Sequence, residues 1–199
     1  MKQIEFWFDF ASPYAYFAAP GIEDLAARHG RGVAWRPFLL GAVFEVTGMQ
    51  TFDRSPLRGE YARHDWARLA RRLDMPFVLP PDRPALTVAP GRAFLWLERE
   101  RPDVAVAFAR AVFDAYFATG LDIGSIAVTL DVAESCGVER MALEAALRSQ
   151  ELKDLFRSRT GEAVARGVFG SPFFFVDGEP FWGSDRLPMI DEWLARGGW

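Results

Sequence analysis

Cysteine is nearly absent from this 199-residue chain, which has one, Cys136. A single thiol excludes an internal disulfide and any C-x-x-C redox pair. Cys136, within Glu134-Ser135-Cys136-Gly137 near a predicted helix end, reads as a small packed hydrophobe. Histidine is scarce too: His29 and His64 fall in no H-x-H or H-E-x-x-H spacing, so no metal site is expected. There is no excess of positive charge. Lys and Arg number 23 against 27 Asp and Glu, a balance without the basic bias of a nucleic-acid binder. No apolar run approaches the roughly 20 residues a membrane span needs. Met1-Lys2-Gln3 leads straight into a strand pattern, without the charged and apolar regions of a signal peptide. The expectation is a cytoplasmic protein with no membrane or nucleic-acid partner.

What the chain does have is apolar bulk. Half of its residues are hydrophobic and 18 are Phe, enough for one sizeable core or a core with a satellite domain. Residues 3–9 alternate, with Ile4, Phe6 and Phe8 against Glu5, Trp7 and Asp9, and predict a strand. Residues 13–29 predict a helix, kinked at Pro20-Gly21 and stopped by Gly30. Val33 to Phe38 predicts a second strand, placed at an edge by Pro37. A β-α-β start implies parallel strands joined by a right-handed crossover. From about 42 to 165 the periodicity is helical, with helices over 57–73, 88–100, 103–118, 125–135, 139–148 and 149–166. Phe173 to Val176 is a buried strand, Asp177-Gly178 a hairpin turn, Glu179 to Trp182 the return strand, and a last helix stops at Gly197. These elements predict an α/β protein of thioredoxin-like fold. Residues 1–45 and 166–199 form the discontinuous thioredoxin-like domain, and 46–165 an inserted all-helical domain.

The most informative stretch is Phe8-Asp9-Phe10-Ala11-Ser12-Pro13-Tyr14. A strand that runs into a helix N-terminus presents unpaired N–H groups and the positive end of a helix dipole, which suits an anion, a thiolate included. Ser12 stands at that point, and the chain supplies no thiol there. Ser-Pro is also an ordinary helix start. Those two residues alone favour a plain cap.

Three motifs together resemble the 2-hydroxychromene-2-carboxylate isomerases, which belong with the kappa-class glutathione transferases in the DsbA-like branch of the thioredoxin superfamily. They are Phe8 to Tyr14, Gly167-Val168-Phe169-Gly170-Ser171-Pro172-Phe173-Phe174, and Trp182-Gly183-Ser184-Asp185-Arg186-Leu187. The resemblance implies glutathione as cofactor and Ser12 as the catalytic serine that holds its thiolate. It implies that Pro172 is a cis-proline facing the site, with the Ser171 backbone pairing the cysteinyl unit like an added strand. It assigns Ser184 and Asp185 to the carboxylate and ammonium of the γ-glutamyl end, with Trp182 and Gly183 on the same wall. A hydrogen bond from Ser12 and the helix dipole would together lower a bound thiol's pKa by roughly 1.5–3.

In the reaction so implied, the thiolate adds to the conjugated chromene, the ring opens, a transient single bond rotates, and glutathione leaves unchanged. The substrate is a small planar aromatic acid. Phe10, Tyr14, Phe38 and Trp66 are candidates for its apolar slot, and Arg54 or Arg58 for its cation. Tyr61, Asp65 and Arg68 fit the family's first inserted helix. Two departures add substrate-side candidates. Met49 stands where relatives carry Asn, and Leu86 where many carry Asn before the position of Thr87. The resemblance also implies a homodimer. Two other functions remain open on the same scaffold: a kappa-like transferase or peroxidase that consumes glutathione, and a redox-inert binding module.

Overall fold

A computed structural model of the chain describes residues 2–51, 55–79 and 85–199. Four strands form one sheet: β1 (Gln3–Phe8), β2 (Gly32–Pro37), β3 (Phe173–Val176) and β4 (Glu179–Trp182), in the order β2-β1-β3-β4. β1 and β2 are parallel, with Phe6 opposite Trp35, and helix α1 (Pro13–Arg28) makes the crossover between them. β1 and β3 are antiparallel, with Phe6 opposite Phe174, and the Asp177-Gly178 turn returns the chain along β4. Pro37 lies on an outer strand, where a missing N–H breaks no ladder.

Between β2 and β3 the chain is helical: α2 (Leu40–Thr47), α3 (Pro56–Leu73), α4 (Val88–Glu100), α5 (Pro102–Phe117), α6 (Ile126–Ser135), α7 (Arg140–Arg148) and α8 (Gln150–Ala165). A short 3-10 turn, Ser184–Arg186, leads into α9 (Leu187–Arg196), closed by Gly197 in the left-handed region. This is a thioredoxin-like fold with a helical insertion. Among the described residues, no helix is long and apolar enough to cross a membrane.

Period 2 in β1 sets Trp7 and Asp9 on the face opposite Ile4, Phe6 and Phe8, and both are buried, Trp7 fully and Asp9 at 4 % exposed. The sheet is covered on both faces, so alternation in β1 sorts side chains between two cores instead of between core and water. On one face Ile4, Phe6, Phe8 and Phe174 join the core that continues into α1, α4 and α5. Phe6 stacks on Phe174 with centroids 5.4 Å apart, and Phe8 meets Phe94 and Phe113. On the other face Trp7, Phe173 and Phe175 pack with Phe38, Val43 of α2 and Ala163 of α8. Each such aromatic ring contributes about 1.5–3 kcal/mol by burial. The inserted helices are thereby welded to the sheet on both sides, which fixes where their N-termini point.

Candidate functional site

The site lies where β1 ends. Ser12 is the N-cap of α1 and Pro13 its first helical residue, as the local sequence requires. The Ser12 hydroxyl accepts from the Ala15 N–H at 3.3 Å, a weak cap. It also donates to the Ser171 carbonyl at 2.8 Å. So Ser12 is a cap and something more: its proton points across to the loop before β3. That loop holds a cis Ser171–Pro172 bond. Both serines are buried, Ser12 at 6 % and Ser171 at 8 % exposed.

Beneath them lies Asp9, inside the first of the three motifs. Its Oδ1 accepts from the Ala11 N–H and its Oδ2 from the Leu40 N–H, both at 2.8 Å. Thr87 stands beside it and draws its pKa down. The Asp9 N–H donates to Ser171 Oγ at 2.9 Å, and its carbonyl accepts the Ser12 N–H at 3.0 Å. Burial pushes the Asp9 carboxyl above its ordinary value, against the pull of these donors. The signal that could have exposed it was a lone carboxylate inside an aromatic run at a strand end. Thr87 stands in none of the three motifs, and no local pattern marks it.

The third motif forms an adjoining wall. The Gly183 N–H donates to the Pro172 carbonyl at 3.1 Å, tying the end of β4 to the cis-proline loop. Gly183 has φ 107°, and a Cβ there would fall 2.5 Å from Asp185 Oδ1, so only glycine fits. Trp182 is 49 % exposed but held, edge-on to Phe169 at 4.8 Å. Ser184 opens the 3-10 turn. Asp185 reaches solvent, with Arg186 Nη1 3.5 Å from its carboxylate.

The substrate-side candidates separate. Phe10 and Phe38 are core residues, each 1 % exposed, on opposite faces of the sheet. Neither offers a ring face to a ligand, because both sheet faces are covered. Trp66 is buried against the Tyr14 ring, with centroids 6.2 Å apart. Tyr14 is half-buried and donates to Asp65 Oδ2 at 3.0 Å, and Arg68 approaches Asp65 at 3.6 Å. Burial, then the Asp65 charge, push the Tyr14 phenol well above its ordinary value, so it stays a neutral donor. The Tyr61, Asp65 and Arg68 pattern is thus a link from α3 to the first turn of α1. Leu86 is 75 % exposed, Met49 half-buried and Arg58 exposed. Arg54 lies outside the described residues.

The donors and acceptors fit a thiol-bearing peptide: a hydroxyl at a helix N-terminus, a strand-end backbone beside it, a hydroxyl on a helical turn, and an accessible carboxylate. Fold and site together define a thioredoxin-type protein with a buried serine at the N-terminus of its first helix. The DSBA-like thioredoxin domain model matches residues 3–195. The 2-hydroxychromene-2-carboxylate isomerase of Sphingobium xenophagum is 30 % identical over 199 residues, covering 97 % of this chain and 98 % of its own. Glutathione S-transferase kappa 2 of Caenorhabditis elegans is 27 % identical, covering 98 % and 92 %. A solved structure of a 2-hydroxychromene-2-carboxylate isomerase superposes with a TM-score of 0.87 at 26 % identity, covering 98 % of this chain and 95 % of that one. The chain belongs to the DSBA-like thioredoxin family, in its branch of 2-hydroxychromene-2-carboxylate isomerases and kappa glutathione transferases.

Proposed function

We propose that the protein is a glutathione-dependent cis–trans isomerase of a small aromatic oxoacid. The observation that carries this reading is the Ser12 hydroxyl, buried at the N-terminus of α1 and donating to the Ser171 carbonyl. The chemistry glutathione supplies when bound is a thiolate nucleophile that is returned unchanged. The chain's own residues do the rest. Ser12 turns its proton from the Ser171 carbonyl toward the sulfur position, where the helix dipole adds to the charge stabilisation. The carbonyl so released accepts a peptide N–H. Ser184 takes a carboxylate at the start of its helical turn, and Asp185 takes an ammonium in place of Arg186. Trp182 and Gly183 close one side. Exposed Leu86 and half-buried Met49 face the substrate, with Arg58 as the described candidate for its carboxylate.

No general base is needed at Ser12, since it keeps its proton throughout. The likeness to a kappa glutathione transferase favours a second reading, transfer of glutathione to an electrophile. One assay separates the two. The protein is incubated with 2-hydroxychromene-2-carboxylate with and without glutathione, and both product and free thiol are measured. Isomerisation with constant thiol supports the proposal. Stoichiometric thiol loss selects the transferase. No glutathione-dependent rate and no glutathione binding by calorimetry would leave a redox-inert binding module.

A further inference from the structure

Asp9 does more than fill space. It bonds to the Ser12 and Ser171 segments of the site and to the start of α2. Its carbonyl holds the Ser12 N–H, and its own N–H holds the Ser171 hydroxyl. One carboxylate oxygen holds the Ala11 N–H, which fixes the loop between β1 and α1. The other holds the Leu40 N–H, the first amide of α2. α2 has no cap of its own: its N-cap is Leu39, whose N–H is taken by Thr160 Oγ1 at 3.1 Å. Thr87, the N-cap residue of α4, likewise makes no side-chain cap bond there and lies beside Asp9. A buried carboxylate is costly to keep in a core, and Asp9 forms no ion pair among the described residues. The phenol facing it from α5 is Tyr116, itself pushed up by burial.

We infer that Asp9 is a positioning residue, holding the Ser12 hydroxyl and the Ser171 backbone at the separation the bound thiolate requires. The inference rests on the glutathione reading above and adds a residue to it. Position and charge act in opposite directions here, which makes the idea testable. Asp9→Asn removes a negative charge near the sulfur. If Asp9 acted only through its field, the thiolate would form more readily. If Asp9 acts by position, the variant amide places an N–H against either Ala11 N–H or Leu40 N–H, the loop shifts, and the thiolate forms less readily.

The experiment titrates bound glutathione by thiolate absorbance in wild type, Asp9→Asn and Thr87→Val, with glutathione affinity and steady-state kinetics alongside. Thr87→Val keeps the carboxylate and its backbone partners, and stands in if Asp9→Asn does not fold. The expected result for Asp9→Asn is a thiol pKa raised by about one, kcat at least tenfold lower, and a glutathione Kd within threefold. Thr87→Val should move thiol pKa and kcat in the same direction by a smaller factor. A lower thermal midpoint with unchanged thiol pKa and kcat would make Asp9 merely structural and overturn the inference alone. A lowered thiol pKa would also overturn it. Failure of wild type to bind glutathione would overturn the functional reading, and this inference with it.

Discussion

Ser12 Oγ and the Ser171 carbonyl oxygen are 2.8 Å apart, joined by a hydrogen bond that spans 159 positions of sequence. The donor is thereby oriented before any ligand arrives, and its acceptor is a backbone atom that a peptide ligand can compete for. Little reorganisation separates the two arrangements: one rotation about the Ser12 side chain frees the carbonyl and redirects the proton.

Ser12→Ala removes that donor without touching the wall proposed for the γ-glutamyl end. Isomerisation kcat should fall at least tenfold, about 1.4 kcal/mol of barrier, with the glutathione Kd within a few-fold. Loss of the cap should cost about 1 kcal/mol of stability or less. Steady-state kinetics and calorimetry check both, and an unchanged kcat would remove Ser12 from the chemistry.

Asp185→Ala tests the proposed seat of the other end of the peptide. Its carboxylate is exposed, so an ammonium held there is screened by water and salt. Glutathione Kd should rise about fivefold, matching the ~1 kcal/mol upper range of exposed ion pairs. The effect should shrink as salt is added. A Kd that does not move would refute the assignment.

Gly170 packs against the indole of Trp182: a Cβ there would fall 2.2 Å from Nε1. Gly170→Ala must therefore push Trp182 off its seat on Phe169. The expected outcome is a changed tryptophan emission, weaker glutathione binding, and about 1–3 kcal/mol lost to overpacking. Emission and affinity identical to wild type would show that the indole wall is not where glutathione lies.

Alkaline pH should weaken the fold in a defined window. Burial raises the phenols of Tyr14, Tyr16 and Tyr116 above the ordinary value of 10, Tyr16 to about 12. The folded chain keeps protons that the unfolded chain releases above pH 10. Stability is full below pH 10 and falls as pH rises through the folded values. Tyrosinate absorbance at pH 10.5 should be lower in native protein than in urea, and the urea midpoint should drop between pH 10 and 12. Coincident titration curves would contradict this.

Much of the architecture was legible locally. Ser12-Pro13 opens a helix, Asp177-Gly178 turns a hairpin, Gly197 stops the last helix, and apolar periodicity marks the long helices to within a residue or two. These are short-range effects of backbone sterics and side-chain spacing. α2 was less legible, because Leu39 and Leu40 carry no start signal. Its first amides are held by Asp9 and Thr160, distant in sequence. The burial of Trp7 is not legible for a related reason: period 2 tells which side chains share a face, not whether both faces are covered.

Sequence by itself determined the elements, the serine at the mouth of α1, and the absence of a dithiol, since each depends on neighbouring residues or on composition. Only the tertiary structure decided that Phe10 and Phe38 are core, that the Ser12 proton meets Ser171, and that Asp9 bonds to both the Ser12 and the Ser171 segments. Those outcomes depend on which distant segments close around a residue, and local pattern carries no information about that.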